Sequence, residues 1–377
     1  MEENRILLST PTMHGEELKF INEAFDRNWI APLGFNCDHF EKEMIEYRNK
    51  GLPSTYHALA LSSGTSALHL AVKLAGVKKN DTVFCSDLTF SATVNPVSYE
   101  GGVQVFIDSE EDSWNMDTVA LEKAFEKYPK TKVVILAHLY GTPAKMDEIL
   151  EICNRHGAVL IEDAAEALAA TYKGKECGTF GKYNALSFNG NKIITTSGGG
   201  MLITEDLKAR EKALFWATQA KEPTPWYQHE EIGYNYRMSN VVAGIGRGQL
   251  LHLDEHQSRK EHIYQRYKEG FKGLPITMNP FLPDTKPNFW LSCILVDKNC
   301  PVKPMDIFNA LNKENIESRP LWKPMHLQPV FKDRDFISVN GSSVGADIFE
   351  RGLCLPSDIK MSDEQQDSII NIVKKFF

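Results

Sequence analysis

Residues 132–166 read KVVILAHLYGTPAKMDEILEICNRHGAVLIEDAAE, and this stretch decides the fold class. Lys132 to Ala137 opens a continuous apolar run, the pattern of a strand buried on both faces of a parallel sheet. Met146 to His156 carries apolar residues at helical spacing, with Gly157 as its stop. Ala158 to Ile161 is then the next strand. Strand, helix and strand in that order make a βαβ unit. The alternation extends outward in both directions. Upstream, Ser63-Gly64-Thr65-Ser66 opens a helix with apolar positions Ala67, Leu68, Ala71, Val72 and Ala75, while Thr82 to Ser86 and Val103 to Ile107 read as strands. Downstream, Ala185 to Phe188 and Met201 to Thr204 complete the series. The expected fold is α/β, a mostly parallel sheet between helices on both faces.

The chain has 377 residues, and at about 150 residues per domain two or three domains are expected. At the start lie a short apolar run, Ile6 to Leu8, and a helix over Glu16 to Phe25. An ordered loop follows over Asn28-Trp29-Ile30-Ala31-Pro32-Leu33-Gly34. After about residue 240 the character changes. Leu250 to Phe271 reads as one long charged amphipathic helix, followed by strands such as Leu291 to Val296 and helices such as Pro304 to Asn315. The expected division is an N-terminal segment over 1–35, a large domain over 36–245 and a smaller α+β domain over 246–377.

Composition narrows the function. The formal charge is −8, which argues against nucleic acid or an anionic membrane as the main partner, since both demand a basic face. Seven cysteines are scattered without C-x-x-C spacing, so neither a disulfide framework nor a zinc site is expected. No apolar run follows a basic region at the N-terminus, and no stretch approaches the roughly 18 apolar residues of a membrane span. A cytoplasmic protein is expected.

Three sites carry chemistry. Asp163 stands at the carboxyl end of an apolar strand, the edge where open α/β sheets place ligands. It is either a ligand carboxylate or the N-cap of the next helix. Lys192, in Ser187-Phe188-Asn189-Gly190-Asn191-Lys192, lies in a turn hemmed by Phe188, Ile193 and Ile194, with Gly198-Gly199-Gly200 beyond. A desolvated lysine there is a Schiff-base nucleophile, and a surface lysine in a polar hairpin is the plainer alternative. The backbone N–H groups of Gly64, Thr65 and Ser66 at a helix start are suited to one phosphate, or are simply a helix cap. In this order, with the aromatic loop Thr89-Phe90 between, the three make the set that pyridoxal phosphate requires.

These segments, with Asp87 to Asn95, His138-Leu139-Tyr140-Gly141, Glu162-Asp163-Ala164-Ala165 and Gly233-Tyr234-Asn235-Tyr236-Arg237-Met238, resemble the sugar-aminotransferase family named after the DegT, DnrJ, EryC and StrS proteins. The resemblance runs from about residue 6 to about residue 330. It implies the fold-type I architecture, pyridoxal 5'-phosphate as cofactor and pyridoxamine phosphate as its amino form. It further implies that Lys192 bonds to the cofactor aldehyde, Asp163 pairs with the pyridine nitrogen and Phe90 stacks on the ring. Gly64, Thr65 and Ser187 would bind the phosphate, with Ser66 and Asn189 as further cofactor-binding residues. Asn235 would reach the phosphate of a neighbouring subunit, so a homodimer with shared active sites is implied. Glu166 departs from the family's usual Gln or His at the position that meets the ring hydroxyl oxygen, and a carboxylate there must be protonated or screened. Ser197 stands where a further Gly is common.

The segments Asn28 to Gly34 and Arg319-Pro320-Leu321-Trp322-Lys323-Pro324-Met325-His326 look most like members that aminate C4 of a UDP-4-keto-6-deoxy-N-acetylhexosamine. The substrate residues so implied are Asn28, Trp29, His138, Tyr140, Arg237, Arg319, Lys323 and His326, with Arg237, Arg319 and Lys323 as candidates for the diphosphate. L-glutamate is the implied donor. Alternatives are a dTDP-linked keto-deoxysugar as acceptor, a sugar dehydratase (whose family members carry His in place of Lys192), a cysteine desulfurase or lyase of the same fold type, or a cofactor-binding regulator.

Overall fold

The structure, a computed structural model, describes residues 5–48 and 55–377. Residues 1–4 of the expected N-terminal segment, and residues 49–54, lie outside the described residues. The main sheet has eight strands. From one edge to the other they are His57–Leu61, Gly200–Thr204, Tyr183–Ser187, Val159–Asp163, Val133–Ala137, Thr82–Ser86, Val103–Ile107 and Asp335–Ile337. Tyr183–Ser187 through Asp335–Ile337 run parallel, while Gly200–Thr204 is antiparallel to both its neighbours.

The apolar runs predict this burial, because alternate residues of each strand serve opposite faces. Val83, Cys85, Val133, Ile135, Ile161, Ala185 and Leu202 pack under helices Gly64–Leu74 and Leu207–Ala217. Phe84, Val105, Val134, Leu136 and Leu160 pack under Thr118–Lys127 and Met146–His156. The last of these helices ends as its sequence requires: Gly157 adopts φ 60°, ψ 38°, the left-handed C-cap that favours glycine. A helix not anticipated from the sequence, Phe35–Arg48, buries Cys37, Phe40 and Met44 against Ala58, Ala60, Leu186 and Met201.

Beyond residue 250 a four-stranded antiparallel sheet forms from Ile276–Met278, Ser292–Val296, Gly352–Leu355 and Arg319–Pro320. Helices Leu253–Gly270, Pro304–Lys313 and Asp363–Lys374 cover it through Ile263, Tyr267, Ile307, Leu311, Ile369 and Val373. The long helix expected over Leu250 to Phe271 is Leu253–Gly270, and a separate helix, Asn240–Leu250, precedes it across Leu251-His252. The expected division at 245/246 is also crossed by the chain. Asp335–Ile337 extends the large sheet, and Ile6 bridges Ile316 in the smaller unit. Among the described residues no helix is long and apolar enough to cross a membrane.

One close approach ties the sheet to the helix that heads the candidate site. Gly200 pairs with Leu61 and Ser187, and a Cβ there would collide with the Ser63 carbonyl and the Gly64 nitrogen. Gly200→Ala is therefore expected to cost about 1–3 kcal/mol, read as a lower urea midpoint, and to weaken anion binding at the helix start.

Candidate active site

Val159–Asp163 ends in two adjacent carboxylates, and strand alternation sends them to opposite faces. Glu162 is fully buried. It meets His138 Nε2 at 2.7 Å and accepts N–H groups from Gly178, from Phe180 at 2.8 Å and from Gly181 at 3.1 Å. Burial opposes its charge, but His138 and the backbone donors hold its pKa below the ordinary value. Asp163 faces the other way. It accepts from Thr93 Oγ1 at 2.7 Å and from Ala165 N at 3.0 Å, and burial nonetheless raises its pKa. A carboxylate held there favours a cationic partner.

Asp163 opens into a cleft of about 310 Å³. The start of helix Gly64–Leu74 closes one end, with Ser63 as N-cap accepting the Ser66 N–H at 3.0 Å. Gly64 packs so tightly on Ser187 that a Cβ would stand 2.9 Å from the serine Cβ. The first-turn N–H groups and the Ser187 hydroxyl thus converge at one end, an anion site by construction. Lys192 stands across the cleft, in the turn between Tyr183–Ser187 and Gly200–Thr204. Its Nζ lies 3.7 Å from Glu166 Oε1 and 4.1 Å from the centroid of the Trp290 ring. Burial, opposed by Lys192, pushes the Glu166 carboxyl up to about 7. Phe90, 54% exposed, and Trp322 complete the wall, their ring centroids 5.4 Å apart.

Trp290 is a cleft residue to which the sequence assigns no role. Its indole N–H donates to the Asn191 carbonyl at 2.7 Å, and its own carbonyl accepts from buried Lys260 at 3.0 Å. The aromatic pair Phe289-Trp290 ahead of an apolar strand is its local mark, but nothing in that mark says which cleft it enters.

Gly64, Thr65, Phe90, Asp163, Glu166, Ser187, Asn189 and Lys192 all line this cleft. Several other expected residues do not. Ser66 turns its hydroxyl back to Ser63 and serves the helix cap. His138 is sealed behind the sheet against Glu162, so the expected substrate contact is corrected to a structural one. Tyr140 is buried as well; its hydroxyl accepts the Trp322 N–H at 3.0 Å, and its backbone N–H donates to Glu166 Oε2 at 2.7 Å. Arg237 is buried and spent on Glu41 at 2.8 Å and the Ala60 carbonyl at 2.9 Å, which removes it as a diphosphate partner. Arg319 pairs with Glu317 outside the cleft. His326 is fixed by Asp87 at 2.6 Å and stacks on Phe336, so it too supports the cleft from outside. Lys323 is exposed next to Trp322. Asn28, Trp29 and Asn235 are exposed and away from this chain's own cleft.

A lysine facing a buried strand-end carboxylate across a cleft with an anion site is the geometry of a covalently held cofactor, and the comparisons agree. Residues 11–374 match the model of the DegT/DnrJ/EryC1/StrS aminotransferase family. The chain belongs to this family. The Bacillus subtilis (strain 168) protein EpsN is 48% identical over 99% of this chain and 96% of its own length. The GDP-perosamine synthase of Escherichia coli O157:H7 is 34% identical, covering 97% of both chains. Among solved structures, a DegT DnrJ EryC1 StrS aminotransferase from Brucella abortus is similar with a TM-score of 0.86 and 27% identity, over 96% of this chain and 95% of the other. As a member of this family the chain is a pyridoxal-phosphate-dependent aminotransferase.

The residues present fit that cofactor. A helix start with no room for a Cβ at Gly64 suits its phosphate, Asp163 suits a protonated ring nitrogen, and the Lys192 amine suits its aldehyde. Lys192→Ala is expected to abolish both the visible absorbance of the loaded protein and its turnover. Asp163→Asn is expected to keep the cofactor yet lose about 100- to 1,000-fold in kcat, the scale of removing one preorganised electrostatic partner. Normal turnover in either variant contradicts the assignment.

Proposed function

We propose that the enzyme moves an amino group from L-glutamate to C4 of a UDP-4-keto-6-deoxy-N-acetylhexosamine. The observation that carries a transamination is Lys192 and Asp163 facing one cleft that a helix start closes at its far end. When bound, the cofactor supplies an electron sink that stabilises charge on the carbon losing its proton. The protein's own residues do the rest. Gly64, Thr65 and Ser187 hold the phosphate, Asp163 keeps the ring nitrogen protonated, and Phe90 stacks on the ring face. Lys192, once its amine is free, would take the donor's α-proton and return a proton to the carbon on the other side of the transferred nitrogen, work worth about 100- to 10,000-fold in rate. Two half-reactions in one cleft give ping-pong kinetics.

The acceptor reading draws on three supports. Phe90, Trp290 and Trp322 give the cleft an aromatic wall suited to the apolar face of a sugar ring. Exposed Lys323 stands next to it as a cation for a diphosphate. The segments over 28–34 and 319–326 resemble those of C4 aminotransferases acting on UDP-sugars. Asn28, Trp29 and Asn235, exposed and outside this chain's cleft, are assigned to the cleft of a second copy in a homodimer.

Incubation with glutamate and matched UDP-, dTDP- and GDP-linked 4-keto-6-deoxysugars, followed by mass spectrometry, tests the acceptor. The UDP-linked N-acetylhexosamine is expected to gain nitrogen fastest. Preference for the GDP-linked sugar, in line with the name of the Escherichia coli relative, or for the dTDP-linked one, overturns the nucleotide assignment while leaving the aminotransferase intact.

A further inference from the structure

We propose that Glu166 accepts the proton that Lys192 must shed to capture the cofactor, and that it remains protonated in the loaded site. The inference deepens the cofactor reading of this cleft and rests on it.

In the empty site Glu166 and Lys192 form an ion pair at 3.7 Å. Both side chains are largely buried, at 8% and 12% exposure. The Tyr140 N–H fixes Oε2 at 2.7 Å and leaves Oε1 toward the amine. The other titratable groups whose charge bears on Glu166 are the Asp163 carboxylate, the Tyr140 phenol and the Cys293 thiol. The last two are neutral, since burial drives both well above their ordinary values. Lys192 is therefore the cation that acts on Glu166, and it acts on Asp163 as well.

Covalent capture removes that cation. The Lys192 ammonium gives one proton to the Glu166 carboxylate, leaving a neutral amine and a carboxylic acid. The amine forms a carbon–nitrogen double bond with the aldehyde carbon, and the aldehyde oxygen leaves with the two remaining amine protons as water. Atoms and charge balance without a further reactant. At 3.7 Å the pair must tighten, or use one water, to pass the proton. Afterwards Glu166 is a buried carboxyl that has lost its own cation, the protonated ring nitrogen being held by Asp163, and this favours its neutral form. That meets the demand the sequence raises: a glutamate where relatives carry Gln or His becomes a hydrogen-bond donor by keeping a proton.

The test compares cofactor affinity of apo wild type and Glu166→Gln across pH, using visible absorbance of the loaded protein. Gln keeps an oxygen for the Tyr140 N–H but cannot titrate. Titrations common to both proteins largely cancel in the ratio of dissociation constants, wild type over variant. Below about pH 7, where the empty site already holds a protonated Glu166, the ratio is expected to stay flat. Above it, loading must return a proton to Glu166, so wild-type binding weakens relative to the variant as protons become scarce. The ratio then rises toward about tenfold per pH unit. Glu166→Met, which also cannot titrate, takes the place of the Gln variant if that protein has a lowered thermal midpoint, and Glu166→Asp, which keeps a carboxyl, is expected to show the same rise as the wild type when divided by the non-titrating variant. A ratio flat throughout, or one that changes only below pH 7, shows an uncoupled or ionised Glu166 and overturns the proposal. No visible band in any of the proteins instead overturns the cofactor reading beneath it.

Discussion

The cleft depends on burying two neighbouring carboxylates on opposite faces of one strand end. Glu162 is satisfied behind the sheet by His138 and by the backbone of the turn over 178–181. That network holds the end of Val159–Asp163 in one position, and the pleat then leaves Asp163 no direction but the cleft. The two acids carry opposite electrostatic consequences. Glu162 has enough donors to stay ionised in a dry environment, whereas Asp163 has fewer and is left wanting a positive partner. Binding chemistry is thereby placed at the carboxyl edge of the parallel strands, where the fold opens.

The smaller unit finishes what the sheet begins. It sends Trp290 over the Lys192 amine and Trp322 against Phe90. Lys260 donates to the carbonyls of Trp290 and Ser357, binding the long helix to the segment that carries the tryptophan just ahead of strand Ser292–Val296. The indole N–H in turn holds the Asn191 carbonyl, one residue before the lysine. The lysine's position is thus set from both sides of the molecule, by the hairpin turn that carries it and by the aromatic ring above it.

What the sequence revealed and what it hid follow from the range of the interactions involved. Met146–His156 was legible because its periodicity and its glycine stop are local. The buried strands were legible because unbroken apolar runs have few other uses. Phe35–Arg48 was not, since FNCDHFEKEMIEYR spaces its few apolar residues among charges. Asp335–Ile337 gives no local sign that it will lie beside Val103–Ile107, more than two hundred residues earlier. In the site, Lys192, Asp163 and the helix start were legible as chemistry out of place in apolar surroundings. Arg237, His138 and Tyr140 mislead because a resemblance of segments implies substrate roles without showing which way each side chain faces. Their partners, Glu41, Glu162 and the Trp322 N–H, come from distant segments that no spacing rule connects.

The central claim is that one lysine, at position 192, bonds to the cofactor. The chain contains another buried lysine suited to such chemistry: burial pushes Lys260 down to about 8. Borohydride reduction of the loaded protein fixes the carbon–nitrogen bond, and peptide mass mapping then locates it. The account predicts a single phosphopyridoxyl adduct on the peptide that contains Lys192. An unmodified Lys192, with the adduct on Lys260 or on a surface lysine, would contradict it.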